Sequence, residues 1–220
     1  MVKRAAQLLP GLVARVGEIE EGLHEAGLRV FIGTDEAGRG PLAGPVVSAA
    51  VYLEQAIPGL NDSKKLSAQR RDALFDEISG KAMAFAIAER DWAHIDEHNI
   101  LASSLDAMRE AVEQLAVVLE GRGLRVQRVL VDGNRLIPSL SQVQTAYVKG
   151  DGRSYNIAAA SILAKVHRDR LMRAYDERYP GYGFARHMGY PTAAHYEALR
   201  RLGPSPIHRL SFRGVLGAGS

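Results

Sequence analysis

The 220-residue chain is expected to fold as one α/β layer domain, with a central mixed β-sheet flanked by helices and a C-terminal helical portion. Three observations predict this. Short apolar, β-branched runs come first, broken by glycine and helix-length spacers. Longer segments with apolar residues three or four apart then alternate with further short runs. No internal repeat, low-complexity block or linker divides the chain. Apolar residues make up 46% and charged residues 24%, ordinary for a soluble globular protein long enough to bury a core without staples.

Residues 4–25 carry Leu8, Leu12, Val16, Ile19 and Leu23 at helical spacing. Gly27 ends that helix, and residues 28–34 read as a strand. Residues 46–53 form a second strand. Residues 82–89 form a third, with Met83, Phe85 and Ile87 on one face. Between these two, Ser67 is suited to cap a helix running to Gly80. A long helix over 99–120 buries the stripe Leu101, Leu105, Met108, Val112, Leu115 and Leu119. Residues 128–131 make a short buried strand and 145–149 another. A helix over 155–178 turns Ile162, Val166, Leu171 and Tyr175 inward until Pro180-Gly181 breaks it. Thr192 caps a last helix through Leu202. We expect residues 1–27 as a helical extension, 28–214 as the main folded domain and 215–220 as a disordered tail.

Composition excludes several classes. With no cysteine there are neither disulfides nor thiolate metal sites, which suits a reducing compartment. No apolar run is long enough to cross a bilayer, and the basic start at Lys3-Arg4 has no signal-peptide core behind it. A cytoplasmic location is therefore expected. Charge is uneven: residues 1–120 carry 12 Lys and Arg against 19 Asp and Glu, whereas residues 121–220 carry 16 against 6. A basic half suggests either a nucleic-acid partner or a solvated basic face.

Four acids stand where chemistry is expected. Asp35 and Glu36 close an apolar strand in Thr34-Asp35-Glu36-Ala37-Gly38-Arg39-Gly40. Asp132 closes another, and Asp151 precedes the 155–178 helix. Because neighbours on a strand point to opposite faces, the strand must end or bend if Asp35 and Glu36 are to share a site. Alone, Asp132-Gly133 and Asp151-Gly152 are also ordinary turn signals. Phosphodiester cleavage uses an activated water and charge stabilisation at the leaving oxygen. Two oxygen-ligated divalent cations ~3.5–4 Å apart supply both, and Mg²⁺ keeps enough waters that few carboxylates suffice.

Gly38-Arg39-Gly40 lies in a glycine-rich loop that is neither a P-loop nor a dinucleotide fingerprint. Such a loop lets backbone amides and carbonyls approach a ribose 2′-hydroxyl, or is simply a tight turn. Asn61, Ser63 and Lys64, just before the Ser67 cap, offer donors suited to phosphate or form a solvated loop. Lys165 and Arg168 share a helix face that meets a duplex backbone or water. Tyr190 either packs on a sugar or is a half-buried structural ring. Asp91, His94, Asp96, Glu97 and His98 imitate a metal cluster, but Ile95 stands where a zincin has its glutamate, so they read as a solvated helix start.

Taken together these segments carry a resemblance. Gly33-Thr-Asp35-Glu36-Ala-Gly38-Arg39-Gly40-Pro-Leu-Ala-Gly-Pro-Val, Asn61-Asp-Ser-Lys64-Lys65-Leu, Val131-Asp132-Gly133, Lys149-Gly150-Asp151, Ala158-Ala-Ala-Ser161-Ile-Leu-Ala-Lys165-Val-His-Arg168, Gly189-Tyr190 and Gly203-Pro-Ser-Pro-Ile-His208-Arg occur in order from about Val30 to Phe212. The chain resembles bacterial ribonuclease HII, the type 2 ribonuclease H family. The resemblance implies an RNase H-like fold. It implies hydrolysis of RNA in RNA–DNA hybrids and incision 5′ to single ribonucleotides embedded in duplex DNA, leaving 3′-hydroxyl and 5′-phosphate ends. Asp35, Glu36, Asp132 and Asp151 fall on the metal-binding tetrad, with Mg²⁺ or Mn²⁺ as cofactor. Gly38, Arg39 and Gly40 fall on the ribonucleotide-sensing loop and Tyr190 on the sugar-contacting tyrosine. Asn61, Ser63, Lys64, Lys165 and Arg168 fall in strand-binding segments.

Three departures stand out. Met188 replaces a usual lysine, residues 1–27 have no clear counterpart and are too few for the extra domain of type 3 enzymes, and no tail suits a sliding clamp. The expected state is a monomer. A non-catalytic duplex-binding module and a sugar-indifferent DNA nuclease are the competing functions.

Overall fold

The computed structural model describes residues 15–217. Five strands form one sheet in the order β3-β2-β1-β4-β5: β1 is Phe31–Ala37, β2 Val46–Tyr52, β3 Ala84–Arg90, β4 Arg128–Asp132 and β5 Gln144–Tyr147. The first three pair antiparallel, and β4 and β5 add on parallel to β1, so the sheet is mixed as expected. Among the described residues seven α-helices surround it: α1 (Glu18–Glu25), α2 (Ala68–Lys81), α3 (Trp92–His98), α4 (Ile100–Gly121), α5 (Tyr155–Arg178), α6 (Phe184–His187) and α7 (Ala193–Leu202).

β2 is buried along its whole length because both faces are covered. Val47, Ala49 and Val51 pack against α2 and α5, while Ala50 and Tyr52 pack against the Met108–Val112–Leu115 stripe of α4. α5 runs through the centre of the molecule, and its small residues Ala158, Ala159, Ala160 and Ala164 let it lie close to the sheet. The closest approach is at Gly33 of β1, where an added Cβ would stand 2.3 Å from the carbonyl carbon of Asn156. Burial on nearly every side of its first half explains why four inward residues describe α5 poorly.

The expected caps are present. Ser67 accepts from Arg70 N, and Thr192 accepts from His195 N. Asn99 begins α4 by accepting from Leu101 N and Ala102 N.

Three expectations change. Of the predicted helix over 4–25, the described part is helical over Glu18–Glu25 and not at 15–17, and residues 4–14, with Leu8 and Leu12, lie outside the described residues. Val215, expected in the disordered tail, is 2% exposed and packs with Leu42 and Leu199, so the folded body extends past residue 214. β1 neither ends nor bends at Asp35, because Glu36 and Ala37 still pair with Ser48 and Val47 of β2.

Candidate active site

Sheet register brings the first two acids together. The last parallel pair between β1 and β4 is Thr34 with Val131, so the next step sets Asp35 beside Asp132. β4 stops there. Glu36, on the opposite face by alternation, projects past the end of β4 and acts electrostatically on Asp132 from the other side. Asp35 and Glu36 thus both lie within electrostatic reach of Asp132, although β1 continues through them.

Asp151 comes from a 3₁₀ turn at Gly150–Gly152, just ahead of α5. Asp132 Oδ1 accepts from Gly150 N at 2.7 Å and from Asp151 N at 3.4 Å, which ties that turn to the end of β4.

The four carboxylates repel one another. Burial, then Asp132 and Glu36, raise the Asp35 carboxyl well above its ordinary value. Burial also raises Glu36, against the pull of Arg39 and Lys64. Asp132 is raised by burial and by Glu36. Asp151 is raised to about 6 by burial and by its neighbours Asp132 and Asp62. Desolvation lowers the Lys64 ammonium, but Asp151, Asp35, Asp62 and Asp132 more than offset this and hold it above its ordinary value.

A cavity of about 520 Å³ opens beside Asp132 and Asp151, with Asn61, Lys64, Lys65 and Lys149 in its wall. Buried, mutually repelling oxygen donors beside a basic cavity fit hard divalent cations and an anionic ligand. Among the described residues no three His, Cys, Asp or Glu side chains form a ready-made metal cage.

The glycine-rich loop 38–45 is built around two arginines. Arg209, fully buried, donates to the carbonyls of Gly38 (2.7 Å), Pro41 (2.8 Å), Gly44 (2.9 Å) and Arg39 (3.3 Å). Arg168, 1% exposed, donates to Pro45 (2.9 Å), Ala43 (3.0 Å) and Met188 (3.0 Å). The Arg209 amide takes the Leu42 carbonyl as well. With its carbonyls drawn inward, the loop leaves the amides of Arg39 and Gly40 donating to no protein group among the described residues. Gly38, at φ +100°, is required by this packing, since a Cβ there would meet Arg168 Nε at 2.2 Å. A Cβ on Gly40 would meet only the Tyr190 ring, at 3.5 Å, so Gly40 leaves open space beside that ring.

Tyr190 is 40% exposed, and the Lys165 ammonium lies 5.9 Å from its ring centre. Its segment is fixed from below by buried imidazoles. Tyr190 O lies 3.0 Å from His195 Nδ1, and His195 Nε2 lies 3.0 Å from His208 Nε2. Burial pushes both rings down to about 4, so this pair is uncharged at neutral pH.

A chain of contacts links these residues: Arg39 Nη1 lies 3.4 Å from Glu36 Oε1, Lys64 interacts with Asp35, Asp132 and Asp151, and Gly40 in the Gly38-Arg39-Gly40 loop approaches the Tyr190 ring. Two expected strand contacts are corrected. Arg168 reaches neither a strand nor water, because its guanidinium is consumed by carbonyls of loop 38–45 and Met188. Ser63 is buried, and its hydroxyl pairs with that of Ser161 at 2.9 Å. Asn61 Oδ1 accepts from Asp62 N, and Lys165 pairs with Asp169 at 2.7 Å. Sequence reasoning missed Arg209, His195 and the structural use of His208. The one available signal was the run Ser205-Pro-Ile-His208-Arg209, where a charged residue follows a histidine and a proline-bounded turn. Asp96 of the imitation metal cluster accepts from Leu210 N and from Ser211, so it anchors the C-terminal segment. Among the described residues no helix is long and apolar enough to cross a membrane.

Comparison with known proteins agrees with this geometry. The sequence profile of the family described as Ribonuclease HII matches residues 32–215. A Ribonuclease HII of Geobacter metallireducens is 53% identical over 191 residues, covering 86% of each chain. One of Geobacter sulfurreducens is 52% identical over 202 residues, covering 91% of this chain and 89% of that protein. The fold matches the RNase HII of Archaeoglobus fulgidus, solved in complex with PCNA, with a TM-score of 0.70 and 25% identity over 87% of this chain and 97% of that one. It matches the ribonuclease H2 of Pyrococcus horikoshii with a TM-score of 0.64 and 27% identity over 86% of this chain and 96% of that one. A match that spans nearly the whole sheet, the acidic end of β1 and β4 and the arginine-held loop leaves one assignment: the chain belongs to the ribonuclease HII family and is a hydrolase of the ribonuclease H type.

Proposed function

We propose that the chain is an endonuclease that cleaves the RNA strand of RNA–DNA hybrids and incises duplex DNA 5′ to single embedded ribonucleotides, leaving 3′-hydroxyl and 5′-phosphate ends. The observation that supports this reading is a cluster of four mutually acting carboxylates that touches loop 38–45 through the Glu36–Arg39 contact, with Tyr190 beside Gly40 of that loop. A carboxylate cluster alone supports phosphodiester hydrolysis. The loop and the tyrosine add a place for a sugar.

Asp35, Glu36, Asp132 and Asp151 would hold Mg²⁺ or Mn²⁺, and bound divalent cations supply Lewis acidity and an activated water. Every other role falls to the chain itself. The free amides of Arg39 and Gly40 present donors to a ribose 2′-hydroxyl, the group that separates RNA from DNA. The space beside Gly40 accepts the sugar edge, and the exposed Tyr190 ring forms its wall. Lys64, Lys65 and Lys149 line the cavity next to the acids and attract the flanking phosphates, which contribute affinity without sequence choice.

Incision of a labelled duplex with one embedded ribonucleotide, beside an all-DNA duplex of the same sequence, tests the reading. Cleavage is expected only at the ribonucleotide, only with Mg²⁺ or Mn²⁺, and is abolished by chelator. Equal cutting of both duplexes would instead indicate a sugar-indifferent nuclease. Asp132→Asn is expected to lose cleavage while retaining duplex binding. A parent chain that binds both duplexes and cuts neither would be a binding module only, and an Asp132→Asn variant that cleaves normally would remove Asp132 from the catalytic set.

A further inference from the structure

Helix α1 lies outside the family match, which begins at residue 32, yet it makes a dense set of contacts to the turn that presents Asp151. Glu20 of α1 is 1% exposed. Its Oε1 accepts from Ser154 Oγ at 2.5 Å, from Asn156 N at 3.1 Å and from Asn156 Nδ2 at 3.3 Å. Ser154 is the N-cap of α5, and the same hydroxyl accepts from Ile157 N at 3.1 Å. One of the orphan amides at the start of α5 is therefore satisfied by a carboxylate from a helix more than a hundred residues earlier. Beside it, Glu18 Oε1 accepts from Arg153 Nε at 2.5 Å, and the Arg153 carbonyl accepts from Gly17 N at 2.9 Å and from Ile19 N at 3.4 Å.

These partners sit within a few residues of Asp151. Ser154 N and Arg153 N both donate to Gly150 O, which closes the turn around that acid. Asp132 Oδ1 holds the turn from the sheet side through Gly150 N, and α1 holds it from the other. Val16 and Arg153 border the same cavity as Asp132 and Asp151, so the brace reaches the edge of the site.

We propose that α1 is a positioning element for the active site, with Glu20 and Glu18 locking the start of α5 so that Asp151 is held where a divalent cation needs it. Among the described residues Glu20 Oε2 is buried without a hydrogen-bond partner, so the contacts to the start of α5 all run through Oε1. The outer-shell hydrogen bonds of a metal ligand govern affinity for the ion as well as its placement.

This inference rests on reading Asp151 as a metal ligand, and its test separates the two. In the full chain, Glu20→Ala is expected to speed amide hydrogen exchange across residues 151–157. It should also raise the half-saturating Mg²⁺ concentration about tenfold, by titration calorimetry and by cleavage, with turnover recovered at saturating Mg²⁺. Glu20→Gln keeps the Oε1 acceptor and should restore both. A Glu20→Ala protein that melts earlier, yet exchanges normally at 151–157 and needs no more Mg²⁺, would reduce α1 to a stabilising contact and overturn the proposal. If Glu20→Ala does not fold, Glu18→Gln is the substitute. It should move both readouts less far, and no movement in either counts against the brace. Should Asp151→Asn leave the Mg²⁺ requirement unchanged, the ligand reading is what has failed, and the exchange rates alone then decide whether α1 orders the turn.

Discussion

Two neighbouring regions bury charge of opposite sign and treat it in opposite ways. Under loop 38–45, the guanidinium groups of Arg168 and Arg209 make seven hydrogen bonds to backbone carbonyls and, among the described residues, face no carboxylate at bonding distance. Burial lowers them to about 10 and about 9, so both stay charged at neutral pH. A few ångströms away along β1, Asp35, Glu36, Asp132 and Asp151 are crowded together with little to quiet them, and burial and mutual repulsion raise all four carboxyls. A buried charge whose donors or acceptors are all satisfied belongs to the scaffold. A buried charge left in tension marks the place where a ligand completes the structure. By that criterion the arginines shape the loop, and the acids fit the proposed cation site.

Substitutions should separate the two regions sharply. The largest effect is expected from Asp35→Asn, which removes the most strained charge. Cleavage should fall by about a thousandfold or more, roughly 4 kcal/mol of barrier. Without metal, the same protein should resist urea better than the parent, because a repelling buried charge has gone. Loss of both activity and stability would show that Asp35 belongs with the scaffold. Arg209→Ala should behave in the reverse manner. It strands four buried carbonyls, so stability is expected to drop by about 3 kcal/mol. For a chain of this size that is about 10 °C in Tm, read by a thermal melt. Arg209→Lys should recover only part of the loss, since an ammonium cannot span the fan of carbonyls that a guanidinium reaches.

The same contrast explains what was legible in the sequence. Every strand and the helices α2, α4, α5 and α7 are announced by period, caps and breakers, because propensity and burial agree along those segments, whereas α3 reads only as a helix start and the four-residue α6 is too short to show a period. The acids are legible because each ends or follows an apolar run, a local signal. Arg209 is not, because nothing near it says that its charge is buried, and its four carbonyl partners lie about 170 residues earlier in the chain. Arg168 misleads for the same reason: helical spacing places it beside Lys165, but depth along the helix decides that one is buried and the other reaches the surface. The reach of Glu36 past β4 depends on where a different strand stops, which no window around Glu36 records.

A subtler consequence of unrelieved acidity is a pH dependence of definite sign. Asp151 titrates at about 6 in the fold against an ordinary 3.8. Between these values the folded chain holds a proton that the unfolded chain has released. Its contribution to stability is therefore complete near pH 4 and is lost as pH rises through 6. His195 and His208, pushed down to about 4, act the other way: their contribution is present above the ordinary histidine value of 6.5 and is lost as pH falls through 4. The two trends overlap in the parent profile, so the informative quantity is the difference between Asp151→Asn and the parent, from which the histidines cancel. Without metal, the variant should match the parent's stability near pH 4 and exceed it by on the order of 2 kcal/mol at pH 6, measured by urea unfolding at each pH. Saturating Mg²⁺ should invert that difference, since a cation needs the carboxylate unprotonated and is lost with the asparagine. A difference that stays flat from pH 4 to 6 would mean that Asp151 is already relieved, as the arginines are.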